Sequence, residues 1–161
     1  MTIANYMQYM PIGRQMAMLT KQYFGALSKS MEHLGVDRHF FPLVVIDKTD
    51  KKCTQQYLSC ILGVDKVCMV RIMDYLVERG MITREINSED RREHLIKLTP
   101  KGKKIMPSVY KGIDEMNSLT LKGLKKNEQQ AFHTAMEIIA KNIENLPVNE
   151  VDIQIIKNNK R

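Results

Sequence analysis

The sequence predicts a mainly α fold that carries one small β-hairpin. Three observations predict it. Apolar residues recur at helical intervals through most of the 161 residues. The tight turn Leu62-Gly63-Val64-Asp65 separates two short helical stretches. Downstream, two short runs rich in apolar and β-branched residues flank the charged turn Ser88-Glu89-Asp90-Arg91-Arg92-Glu93. The order over Thr54 to Gly102 is therefore helix, turn, helix, hairpin, helix, which is that of a winged helix-turn-helix. Such an arrangement aims one helix at the DNA major groove and a charged hairpin at the adjacent minor groove.

Each element has its own warrant. Ile12, Met16, Leu19, Tyr23, Ala26, Leu27, Met31 and Leu34 form an apolar stripe, and Gly35 follows as a C-terminal cap. A second helix covers Phe41 to about Asp47, with Pro42 tolerated in its first turn. After a charged connector, Thr54 caps a helix over Gln55 to Leu62 that Gly63 closes. Asp65 caps the next, Lys66 to Arg79, which ends at Gly80. Met81 to Asn87 and His94 to Leu98 read as the strands of the hairpin.

Thr99-Pro100 opens a long helix to about Leu124, which Pro107 should kink or break. Asn127 with Gln130 suggests a capping-box start for a last helix that Pro147 stops. The tail beyond is polar, although Val151, Ile153, Ile155 and Ile156 suit docking on a partner.

The expected organisation is one intertwined domain. Residues 36–100 form the DNA-binding region, 1–35 and 101–146 a helical dimerisation region, and 147–161 the tail. Dimerisation follows from surface. The long N- and C-terminal helices carry apolar stripes that the small unit between them is too small to cover. A two-fold pairing would bury them.

Charge narrows the function. There are 25 Lys and Arg against 18 Asp and Glu, a net charge of +7. Seven of the cations fall between Arg84 and Lys104, against four acids, on the hairpin and the helix start behind it. The most apolar run, Phe40 to Ile46, contains Pro42 and is far short of the ~20 residues that span a bilayer. No signal peptide is visible, so a cytoplasmic location is expected. Three cysteines without paired spacing suggest neither a disulfide framework nor a zinc site. No nucleophile, base and orienter share a motif, and no phosphate loop appears, so neither an enzyme nor a cofactor is expected.

In the helix from Lys66, the spacing of Met69, Met73 and Leu76 turns them to the core. Lys66, Val67, Val70, Arg71, Asp74 and Tyr75 lie opposite. Arg71 suits a guanine or a phosphate; Val67 and Val70 either meet thymine methyl groups or pack the preceding helix. Thr54 and Gln55 open the helix before the turn and complete the expected DNA contacts. At the hairpin tip, one of Arg91 and Arg92 is expected in the minor groove, with Asp90 bracing the wing.

Asp90-Arg91-Arg92-Glu93-His94-Leu95-Ile96-Lys97-Leu98-Thr99-Pro100-Lys101-Gly102 resembles the wing signature D-x-R-x-x-x-[LI]-x-L-T-x-x-G of MarR-type bacterial transcription regulators. Thr54-Gln55-Gln56-Tyr57-Leu58, Leu62-Gly63-Val64-Asp65-Lys66 and Leu76-Val77-Glu78-Arg79-Gly80-Met81-Ile82 look like that family's reading helices and their exit into the wing. The resemblance implies a homodimeric repressor or activator on a pseudo-palindromic operator, released by a small ligand or by oxidation. By position, Arg92 matches the wing arginine that enters the minor groove, Asp90 the acid that braces it, and Arg71 the arginine of the reading helix. The family has small hydroxyl residues where this chain has Val67, Cys68 and Val70.

Control is less legible. The family often binds aromatic acids near the junction of the first two helices, where His33, His39 and Phe40 fall; a small aromatic effector is thus an implied partner. The two histidines read as packing or surface residues ahead of metal ligands. Cys68, in the first turn of the reading helix, reads as a packed side chain ahead of a redox sensor. The competing function is a winged-helix protein-interaction module without specific DNA binding, which an exposed apolar face at Val67 and Val70 would favour.

Overall fold

The computed structural model describes residues 3–49, 52–88, 93–144 and 146–147. A short 3-10 helix, Ile3–Tyr9, leads into α1 (Ile12–Ser30). There the first helix ends, four residues short of the expected Leu34. Residues Glu32–Leu34 continue as one 3-10 turn before Gly35. Next come α2 (Phe40–Lys48), α3 (Gln55–Leu62) and α4 (Lys66–Glu78), then strands β1 (Ile82–Ile86) and β2 (His94–Leu98). α5 (Pro100–Thr120) and α6 (Lys126–Glu144) complete the described chain. The fold is the expected one, mainly helical with one hairpin.

Contacts divide the chain into two units, residues 22–116 and the described residues of 1–21 with 117–161. In the first, the core is built from Leu27, Met31, Phe40, Leu43, Leu58, Met69, Met73, Leu76, Ile82, Ile96 and Val109, all buried. Five of the buried side chains are methionines (Met31, Met69, Met73, Met81, Met106), unbranched and able to fill irregular gaps in the core. In the second unit, Tyr9, Ile12, Leu19, Phe132, Ile138 and Ile143 are exposed.

The helix-turn-helix forms where local chemistry sets it. Thr54 stands extended before α3, and its hydroxyl accepts the Tyr57 N–H at 3.1 Å. At the other end Gly63 takes φ 59°, in the left-handed region that favours glycine, while the Val64 N–H closes back on the Ser59 carbonyl at 3.1 Å. Two residues later the Asp65 carboxylate accepts the Cys68 N–H at 2.9 Å and starts α4. The turn thus spans only residues 63–65.

The hairpin is antiparallel, pairing Ile82 with Leu98 and Ile86 with His94. It does not stand alone. The Ile96 N–H donates to the Cys53 carbonyl at 2.7 Å, and Thr54 bridges Leu95, so the chain entering α3 lines the second edge of β2. At its base Thr99 donates its hydroxyl to the Gly80 carbonyl at 2.6 Å and accepts the Gly102 N–H at 3.0 Å. Gly102 permits this: a Cβ there would lie 2.1 Å from the Met81 carbonyl oxygen.

Two helix expectations need correction. α5 runs unbroken through Pro107 and ends at Thr120, before Leu124. Pro107 is exposed, so the carbonyl its ring leaves unpaired four residues back, at exposed Lys103, can be met by solvent. α6 begins at Lys126, not at a box of Asn127 with Gln130. Its start is fixed by Glu128, whose carboxylate accepts the Lys125 N–H at 2.6 Å. A charged acceptor close to the helix start outcompetes the amide two residues on. The apolar tail residues Val151, Ile153, Ile155 and Ile156 lie outside the described residues.

Candidate nucleic-acid interface

α4 carries the central part of the interface. Met69, Met73 and Leu76 are fully buried, as their spacing predicts, and this fixes which side of the helix faces out. Val67 is 63% exposed and Val70 41%, so both present apolar surface on the outward side of α4. Lys66 and Arg71 are exposed beside them, and neither takes part in an ion pair among the described residues. Thr54 and Gln55 are half-buried, with Thr54 committed to capping α3.

Three residues sit differently from the expectation. Tyr75 is only half exposed. Its ring meets His39 edge-on, centroids 4.9 Å apart, and the Arg79 guanidinium lies over it at 5.0 Å. Asp74 is outward but occupied, paired with Arg84 of β1 at 2.8 Å. Cys68 is exposed, not packed; one position before buried Met69, its side chain falls on the flank of the helix.

The hairpin stem is less basic in effect than in count. Arg84 is held by Asp74, and Lys97 by Glu85 across the strands at 2.5 Å. Glu85 and Lys97 share a face because Lys97 pairs with Thr83, two residues away. Lys101 is turned back to the Arg79 carbonyl at 2.7 Å. Near the tip, Asn87 receives the turn: its N–H donates to the Glu93 carbonyl at 3.0 Å and its amide to the Glu93 carboxylate at 3.1 Å. Asp90, Arg91 and Arg92 lie outside the described residues.

The residues expected near an effector do not form one lining. Phe40 is a core side chain, 1% exposed, stacked at a tilt on Phe24. His39 is half-buried against Tyr75. Burial, with Arg38 nearby and against the opposing pull of Asp37, holds its pKa below the usual 6.5. His33 is exposed in the 3-10 turn. A cleft of about 590 Å³ opens instead between the end of α2, β2 and the start of α5, and none of the three lines it. Beside it Tyr110 donates to the Asp47 carboxylate at 2.5 Å, and burial together with that bond pushes its phenol up to about 12. No group of three or more His, Cys, Asp or Glu suited to a metal occurs among the described residues. No helix among them is long and apolar enough to cross a membrane.

Two features escaped the sequence: the Asp74–Arg84 strap from α4 to the wing, and the Cys53 carbonyl on the free edge of β2. The first joins residues ten apart through tertiary packing, so no local pattern announces it. The Glu85–Lys97 pair, by contrast, could have been read from the hairpin register.

Comparison with known proteins agrees with this architecture. Residues 39–94 match the model of the MarR family. A MarR transcriptional regulator from Methanosarcina mazei Go1 is 27% identical, with 83% of this chain and 96% of that chain covered and a TM-score of 0.77. A mutant MarR from E. coli is 25% identical, with coverages of 81% and 97% and a TM-score of 0.67. A MarR family regulator from Listeria monocytogenes, solved in complex with a 26-mer DNA, shares the fold at 18% identity. Its coverages are 88% and 99%, and its TM-score is 0.76.

Proposed function

We propose that this chain, whose residues 39–94 match the model of the MarR family of transcription regulators, is a sequence-specific regulator of transcription that binds double-stranded DNA. It acts as a homodimer on a pseudo-palindromic operator, as a repressor released by a small aromatic effector. As a regulator of this kind it works in the cytoplasm, without a cofactor. The observation that carries the reading is the outward face at the start of α4. There Lys66 and Arg71 stand exposed, without an ion-pair partner among the described residues, on either side of Val67 and Val70, with a hairpin alongside. A cationic helix end held on a rigid core is what phosphates attract and what reaches base edges.

The residues assigned to the duplex are Thr54, Gln55, Lys66, Val67, Val70 and Arg71 from the helices, with Arg91 and Arg92 from the wing tip and Asp90 as its brace. The domain division at 36–100, with dimerising segments 1–35 and 101–146, belongs to the same proposal. Its support is the exposed apolar surface of the terminal helices, Ile12 and Leu19 on α1 with Phe132, Ile138 and Ile143 on α6.

The test is selection of genomic fragments by the full chain, then binding anisotropy over a salt series for wild type and Arg92→Ala. Tight, selective binding that falls steeply with salt and collapses in the variant supports the regulator and its wing. Weak, unselective binding by both proteins overturns it in favour of a protein-interaction module.

A further inference from the structure

The outward face of α4 changes character along its length. Its first two turns present Lys66, Val67, Val70 and Arg71; its last two present Asp74, Val77 and Glu78. The basic and apolar half begins at the helix N-terminus, where the backbone dipole also attracts anions. The other half carries two carboxylates that phosphates repel, one of them already tied to Arg84. The helix is therefore built to enter a groove by its first two turns, and these hold two exposed valines in the middle.

A valine offers neither donor nor acceptor. Set against a base edge that needs a hydrogen bond, it removes water and returns nothing. One base presents an apolar group in the major groove, thymine with its 5-methyl. We infer that Val67 and Val70 read thymine methyl groups, so that each half-site recognised by this chain is a thymine-bearing run beside a guanine taken by Arg71. The inference rests on the regulator reading and adds the chemistry of its sequence preference. Shape and charge complement each other here. Lys66 and Arg71 bracket the valines, so the same approach that anchors the cations on phosphate or guanine presses the methyls together. Burying one methyl group is worth about fourfold in affinity.

The experiment uses operators selected by the full chain from a random duplex pool, remade with deoxyuridine at the half-site thymines. That replacement deletes the methyl and keeps every hydrogen-bonding group. The expected result is a loss of about fourfold for each contacted thymine with the wild-type chain. A Val67→Ser, Val70→Ser variant, altered only at exposed positions, should not distinguish the two duplexes. Selective binding that is the same for thymine and uracil duplexes overturns the inference and leaves the regulator reading intact. Absence of any selective DNA binding overturns both, and makes the valine face a contact for another protein.

Discussion

α4 and the hairpin beside it handle charge in opposite ways. On α4 the exposed cations, Lys66 and Arg71, have no carboxylate partner among the described residues, and two valines stand exposed between them. In the hairpin stem each described cation is spent inside the protein, Arg84 on Asp74 and Lys97 on Glu85. The hairpin looks like the basic element when charges are counted along the sequence. Once folded, its stem is a nearly neutral strut and α4 supplies the free charge. Exposed pairs of this kind contribute little stability, so the stem pairs act mainly on position and on which charges remain available.

The comparison can be broken at its root. Gly102→Ala drives a Cβ against the Met81 carbonyl, where α5, β1 and the end of α4 meet. It should cost about 3 kcal/mol in urea unfolding, since backbone has little room to give. Retention of wild-type stability would mean that the joint is looser than its geometry. On the DNA side, Arg71→Ala should lower operator affinity about 10- to 100-fold, whereas Lys97→Ala should change it about twofold or less. Equal losses in a titration of both variants would erase the distinction between free and spent cations.

A subtler change releases a spent cation. Asp74→Asn removes the partner of Arg84 and a carboxylate from the reading face, so the slope of log affinity against log salt should steepen by about one. An unchanged slope would show that Arg84 stays away from phosphate. The smallest expected effect concerns His39, whose pKa is depressed by burial against the Tyr75 ring. Its unfolded form takes up a proton more readily than its folded form. Stability is therefore complete above the ordinary value of 6.5 and declines as pH falls through the depressed one. Thermal melts between pH 7.5 and 5 should show this decline in wild type and a shallower one in His39→Gln.

Local signals were legible in the sequence. Thr54, Gly63 and Asp65 each act within three residues, and they place α3, the turn and α4 where spacing puts them. The Thr99 to Gly102 segment was legible as an expected cap, and its structural role explains the fixed threonine-to-glycine spacing: a hydroxyl that bonds forward and back, and a backbone with no room for a Cβ. What could not be read was the outcome of competition. Asn127 with Gln130 was the expected start of α6, and Glu128 caps it instead. Pro107 was expected to kink or break its helix, and α5 continues through it. Tyr75 belonged to the outward face by periodicity, yet His39, 36 positions earlier, covers its ring. Partnerships across such separations have no period in the chain.

The central claim, that the first turns of α4 lie in the major groove of an operator, is tested most directly by dimethyl sulfate protection of guanine N7 on a selected duplex. The account predicts protected guanines in two half-sites roughly 34 Å apart, about one turn of the double helix, with protection lost in Arg71→Ala. A bound duplex with no protected guanine, or with protection indifferent to Arg71, would contradict it.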